Sequence, residues 1–231
     1  MKKLALITAL ALISCKNDTK IVLASSGNLN EISIVVEDQL WEGSVGKALK
    51  SSLTKSIYGL PQHEPLFKLR QIPPRVFTGF VTKSRTIIKI EHNKPKQTKL
   101  IANQYAAPQT VVIISGMNSK EIIEEFKKHA REIIYKIKAG EIKEKQRRIR
   151  KALSSSQVLD SIFKIKLDFP SIYRIARADR DFVWIRKDTK SGSVNLSVSQ
   201  IPFKRKPLDV STIVATRDSV SKQKIPGPTE N

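Results

Sequence analysis

Gln109-Thr110-Val111-Val112-Ile113-Ile114 is followed, after a short polar turn, by a run from Ser119 in which Ile122, Ile123, Phe126, Ala130, Ile133, Ile134 and Ile137 recur. The first stretch is a β-branched apolar run of strand length; the second puts one apolar stripe along a helix. Asn118 or Ser119 can cap that helix, and Glu121, Glu124 and Glu125 sit near its positive end. A strand delivered directly into an amphipathic helix sets the expectation for the whole chain. It is an α+β protein, with an antiparallel or mixed sheet covered by helices, arranged in two lobes.

Toward the N-terminus, Ile32-Ser33-Ile34-Val35-Val36 and Thr86-Ile87-Ile88-Lys89-Ile90 read as two further strands. Trp41, Val45, Ala48, Leu49 and Leu53 share one helix face, and Gly43 places a start or a bend within that stretch. Leu60-Pro61-Gln62-His63-Glu64-Pro65-Leu66-Phe67 and Ile72-Pro73-Pro74 exclude a continuous helix. They predict ordered loop and short extended pieces, pinned by Phe67, Leu69, Val76, Phe77 and Phe80. The polar, lysine-rich stretch from His92 to Asn103 reads as a turn region.

Toward the C-terminus, Gly140 is expected to interrupt the main helix. A second, mostly solvated helical stretch then runs from Glu141 to Leu153, and Ser154-Ser155-Ser156 forms a joint. Phe163-Lys164-Ile165-Lys166-Leu167 alternates like a strand. Phe182-Val183-Trp184-Ile185-Arg186 and Val194-Asn195-Leu196-Ser197-Val198-Ser199 form an antiparallel hairpin turning through Asp188 to Gly192. Asp209 caps a last helix carrying Val210, Ile213, Val214 and Val220. The organisation expected is a signal peptide over 1–14, a lipidated cysteine and tether over 15–29, a first α+β lobe over 30–153, and a second, hairpin-plus-helix lobe over 157–231.

The N-terminal assignment rests on Met1-Lys2-Lys3 and the apolar run Leu4 to Ile13, which together have the form of a secretory signal. The run falls short of the about 20 residues a membrane-spanning helix needs. Leu12-Ile13-Ser14-Cys15 matches the bacterial lipobox, which implies cleavage before Cys15 and diacylation of its thiol. Cys15 is the only cysteine, so a mature chain lipidated there has neither an internal disulfide nor a thiolate metal centre. The protein is therefore expected on a membrane of the bacterial cell envelope, the outer membrane first, with its periplasmic or surface face left open.

The net charge of +21 raises the question of nucleic acid. Export argues against that partner and favours anionic lipid or glycan, with plain solvation of the surface as the alternative. Lys143, Lys145, Arg147, Arg148, Arg150 and Lys151 are the residues placed to meet an anionic surface.

Several separated motifs carry a family resemblance. They are Trp41-Glu42-Gly43-Ser44-Val45-Gly46, Gly59-Leu60-Pro61-Gln62 with Glu64-Pro65-Leu66-Phe67, Phe77-Thr78-Gly79-Phe80, Phe182-Val183-Trp184-Ile185-Arg186, and Arg217-Asp218-Ser219-Val220 with Pro226-Gly227-Pro228-Thr229-Glu230. Over about Ser25 to Glu230 the chain resembles the bacterial lipoprotein family catalogued as domain of unknown function 4837. Members of that family also carry a lipobox and run on past the last motif, so the resemblance implies a C-terminally truncated second lobe. It implies an address and an architecture, and no chemistry.

Catalytic signatures are sparse. His63, His92 and His129 have no metal-ligand spacing, and no Gly-x-Ser-x-Gly, His-Glu-x-x-His or phosphate-cradling glycine loop occurs. No cofactor and no metal are expected. The acid–base candidates are His63-Glu64 and the strand-following Glu37-Asp38. Trp41 and Trp184 are core residues that could alternatively stack on a ligand. The leading functional expectation is a non-catalytic binding or scaffolding role at the envelope. The alternatives are an envelope hydrolase using His63, Glu64, Glu37 or Asp38, and docking on anionic envelope polymers.

Overall fold

The computed structural model describes residues 22–190, 192–202 and 209–225. Cys15 and the Pro226 to Glu230 motif lie outside them. Helices and strands combine as the pattern predicts, in one mixed sheet and one antiparallel sheet.

The larger sheet has five strands in the order β2-β1-β3-β5-β4. They are β1 (Glu31–Val35), β2 (Lys68–Ile72), β3 (Thr86–His92), β4 (Gln97–Ala102) and β5 (Thr110–Gly116). The first three pairings are parallel, and β4 lies antiparallel on β5. β1 and β3 are central and covered on both faces, which is why they read as almost unbroken apolar runs. On one face Ile32, Ile34, Ile88, Ile90, Val112 and Ile114 pack against the helices. On the other, Val35, Ile72, Ile87 and Val111 are covered by Phe77, Val81 and Tyr105. Each such side chain, fully buried, stabilises the fold by about 1.5–3 kcal/mol.

Three helices cover the first face. α1 (Asp38–Glu42) and α2 (Ser44–Leu53) are broken apart at Gly43, as the glycine predicts. Gly46 explains the rest of the Trp-Glu-Gly-Ser-Val-Gly motif, because a Cβ there would lie 1.7 Å from the Trp41 carbonyl oxygen. The motif is a tight helix–helix turn. Lys50 Nζ lies 4.2 Å above the Trp41 ring, so that tryptophan is capped by a cation at the edge of the core.

α3 (Ser119–Ile149) is one continuous helix of 31 residues, capped by Asn118, which accepts a hydrogen bond from the Glu121 amide. Gly140 does not interrupt it. Glycine costs about 1 kcal/mol in a helix interior, less than unwinding there would cost by stranding the next residue, Glu141, which is buried in an ion pair with Arg85 at 2.8 Å. β4 lies within the stretch from His92 to Asn103 expected as a turn region, and its polar character fits an edge strand. Val76 and Phe80 are 49% and 73% exposed and do not pin the loop, whereas Phe67 is fully buried.

The smaller sheet is antiparallel, in the order β6-β7-β8: β6 (Arg174–Ala178), β7 (Phe182–Thr189) and β8 (Gly192–Ser199). α4 (Gln157–Phe163) packs on it through Leu159, against Val183 and Ile185. Lys164 to Leu167 is therefore no strand. Lys164 takes a left-handed conformation that ends α4. Trp184 is buried, and its indole N–H donates to Asn195 Oδ1 at 3.0 Å. Asp209 caps α5 (Val210–Lys224) as predicted, and Arg217 on α5 donates to the Gly59 carbonyl. Among the described residues no helix is long and apolar enough to cross a membrane.

Candidate functional site

The order of the larger sheet defines a place for a ligand. The chain runs from β1 outward to β2, then returns to β3 on the other side of β1. Where strand order reverses, the two loops leaving the carboxyl ends of adjacent parallel strands diverge and leave a crevice. A cavity of about 330 Å³ lies there, lined by Glu37, Gln39, Leu40, Gly43, Ser44, His92 and Ser119.

Each lining residue is delivered by an element end. Glu37 follows β1 and precedes α1, and its side chain makes no capping hydrogen bond. His92 is the last residue of β3 and is half-buried. Gly43 and Ser44 open α2, whose first turn has no side-chain cap. Ser119 opens α3. Leu40 forms an apolar wall. The crevice thus offers one carboxylate, one imidazole, one amide and two hydroxyls around an apolar surface, a composition suited to a small polar molecule.

The predicted acid–base residues are only partly brought together. His63 and Glu64 sit exposed on the proline-marked loop and do not line the crevice. Asp38 is tied elsewhere, accepting from Gln71 Nε2 at 2.7 Å and facing Arg75 at 3.7 Å. Glu37 is joined by His92, which sequence reading set aside. The available signal was its place at the end of a strand, hidden because His92 opened what read as a turn. His129 faces Glu125 and Glu132, both at 3.7 Å, on the surface of α3. Among the described residues no group of three His, Cys, Asp or Glu side chains is placed to hold a metal ion.

At the other end of α3 the basic run divides. Arg147 and Arg148 both bond the buried carboxylate of Glu144, each at 2.7 Å through Nε. Lys143, Lys145, Arg150 and Lys151 are exposed, with no ion-pair partner among the described residues. The hydrogen bond from Arg147, aided by Arg148, holds the Glu144 carboxyl down at about 2, against the opposing effect of burial. A carboxylate depressed in the folded state stabilises above its ordinary range and loses that contribution as pH falls through its folded value. Glu144→Gln is therefore expected to cost about 1–2 kcal/mol at neutral pH, less than the full shift implies because both arginines are partly solvated. Urea midpoints of wild type and variant should converge as pH is lowered from 5 toward 2; a gap independent of pH would rule the linkage out.

Residues 25–150, more than half of the chain, match the family model described as Domain of unknown function (DUF8532). The chain belongs to that family. Residues 152–231 match a second model, Domain of unknown function (DUF4837), the family that the motifs resemble. The match to the latter covers the Phe182 to Arg186 and Arg217 to Val220 motifs, while the motifs upstream of residue 150 fall in the DUF8532 region. No curated protein and no solved structure matches the chain. The switch-point crevice and the whole of α3 lie in the DUF8532 region; the three-stranded sheet lies in the DUF4837 region. Neither description carries an activity.

Proposed function

We propose that this is a lipid-anchored cell-envelope protein that binds a small polar ligand in the crevice between β1 and β3, in a binding or scaffolding role without catalysis. The crevice at the strand-order reversal is the observation that carries the binding half of this reading. The lipobox Leu12-Ile13-Ser14-Cys15 supports the anchor. Catalysis is disfavoured because a general base is normally oriented by a second group. His92 makes no hydrogen bond through its ring among the described residues.

Two measurements test the two halves separately. Cys15→Ala should shift the protein out of the lipid-modified membrane fraction, and unchanged fractionation with no lipid-modified species in either form would count against the anchor. For the crevice, purified protein is heated with fractionated small-molecule extract of the cell envelope. A ligand at about a hundredfold excess over its Kd adds about 2.7 kcal/mol of stability, readily seen as a raised unfolding midpoint. The same fraction should leave a Glu37→Gln, His92→Ala double variant unshifted. Equal shifts in both proteins, or none in the wild type with any fraction, would reject the crevice as the site.

A further inference from the structure

The N-terminal segment, described from Val22, and the crevice lie at opposite ends of α3. The parallel strands begin at the end where the N-terminal segment joins the fold. There Ala107 N–H donates to the Leu23 carbonyl, Ser26 N–H to the Lys83 carbonyl, and Arg85 N–H to the Ser26 carbonyl. The backbone is thus paired ahead of Asn30, where the fold was expected to start. Glu141 of α3 meets this same end, accepting from Thr86 Oγ1 and from the Asn30 backbone N–H. Arg148 continues the contact, its Nη2 donating to the Gly27 carbonyl at 2.9 Å. At the opposite end Gly116 closes on the first turn of α3, where an added Cβ would lie 2.8 Å from that of Glu121.

Helix geometry sets the scale. From Ser119 to Ile149 the axis runs about 45 Å, and the eight residues after Glu141 overhang the sheet by about 12 Å. The seven residues from Cys15 to Ile21 span at most about 25 Å even when fully extended. An acylated Cys15 therefore keeps Val22 within that reach of the bilayer, and Leu23 ties that point to the strand-start end of the sheet, the end from which α3 overhangs.

That overhang has the chemistry of a headgroup contact. Lys143, Lys145, Arg150 and Lys151 are exposed and unpaired among the described residues, and Ile142 beside them is 55% exposed. A cleft of about 430 Å³ joins it, lined by Gln146, Ile149, Arg150, Lys166, Leu167 and Asp168. It combines two cations and one carboxylate with two aliphatic side chains. Anionic groups are attracted by the first set, and the glycerol and upper acyl region by the second.

We propose that the carboxyl end of α3 docks on anionic phospholipid headgroups beside the anchor and holds the crevice facing away from the bilayer. This rests on the reading of Cys15 as lipidated, and the test separates the two. An acylated Cys15 has no free thiol, so Ile142→Cys is uniquely labelled with a fluorophore in the native lipidated chain. The protein is reconstituted into vesicles of phosphatidylcholine alone, or mixed with phosphatidylglycerol, each containing a headgroup-linked quencher. Quenching at position 142 should rise several-fold with phosphatidylglycerol. It should fall back on adding salt, or in a Lys143→Gln, Lys145→Gln, Arg150→Gln variant that still floats with the vesicles. A label at Lys120→Cys, in the first turn of α3, should stay unquenched throughout. Equal quenching in both lipids, or stronger quenching at position 120, overturns the docking. A chain that takes two labels and fails to float overturns the anchor instead.

Discussion

Gly46→Ala is expected to cost about 4 kcal/mol or more, in the range reserved for a core change that nothing can absorb. The Cβ would be 1.7 Å from the Trp41 carbonyl oxygen and 2.6 Å from its carbonyl carbon. Both are backbone atoms, so no rotamer change relieves the overlap; the turn between α1 and α2 must open. That turn seats Leu40, Val45 and Leu49 in the main core, so opening it exposes several fully buried side chains at once. In a domain of this size each kcal/mol moves the thermal midpoint by about 2–4 °C, giving a fall of at least about 8 °C. Gly43→Ala is the control within the same motif. Its added Cβ meets the Gln39 carbonyl oxygen at 3.0 Å, a tight contact that a small shift relieves. The expected cost there is about 1 kcal/mol. Thermal unfolding of the two variants side by side decides the matter, and equal midpoints would remove Gly46 from its role.

The contrast between these two glycines marks how far sequence reading reaches. Gly43 reads as a start or bend and Gly46 has no reading of its own, because composition records that a residue lacks a Cβ and not which atom stands where the Cβ would go. Strands β1, β3 and β5 were legible because burial on both faces leaves a long β-branched run. β4 was not, since its outer position lets Gln97, Thr98 and Lys99 dilute the pattern. The crevice was half legible: Glu37 follows an obvious strand, but His92 enters only through the β1–β3 pairing, which is tertiary. The second half of α3 misled for a physical reason. Its buried stripe runs Ile133, Ile137, Glu141, Glu144, so the helical period persists while the residue type changes from aliphatic to carboxylate. A reading based on apolar side chains stops at Ile137. One that also sought glutamates in phase with the stripe, followed by arginines three and four residues on, would have continued to Ile149.

Arg85→Met should destabilise the sheet domain by about 3–5 kcal/mol, because it strands the Glu141 carboxylate in a buried site. The pair is 6% and 4% exposed and bidentate, with Nε to Oε1 at 2.8 Å and Nη2 to Oε2 at 3.0 Å. Arg85 also donates to the Gly27 and Asn28 carbonyls, while Glu141 accepts from Thr86 and from the Asn30 backbone. One ion pair thus joins β3, α3 and the entering N-terminal segment. Removing both charges is a different matter. Desolvating two ions offsets most of their attraction, so an Arg85→Met, Glu141→Leu double variant should recover at least about half of the loss. Its N-terminal segment should nevertheless exchange faster, since the Asn28 carbonyl loses its donor, the Gly27 carbonyl keeps only Arg148, and the Asn30 N–H loses its acceptor. Urea unfolding of both single variants and the double one closes the cycle, and amide exchange at Asn30 reads the tether. If the double variant is as unstable as Arg85→Met, the cost lies in packing around the guanidinium and not in an uncompensated charge. If Asn30 stays protected, the tether is held by the Leu23 to Ser26 pairing alone, and the ion pair serves only to seat α3 on the sheet.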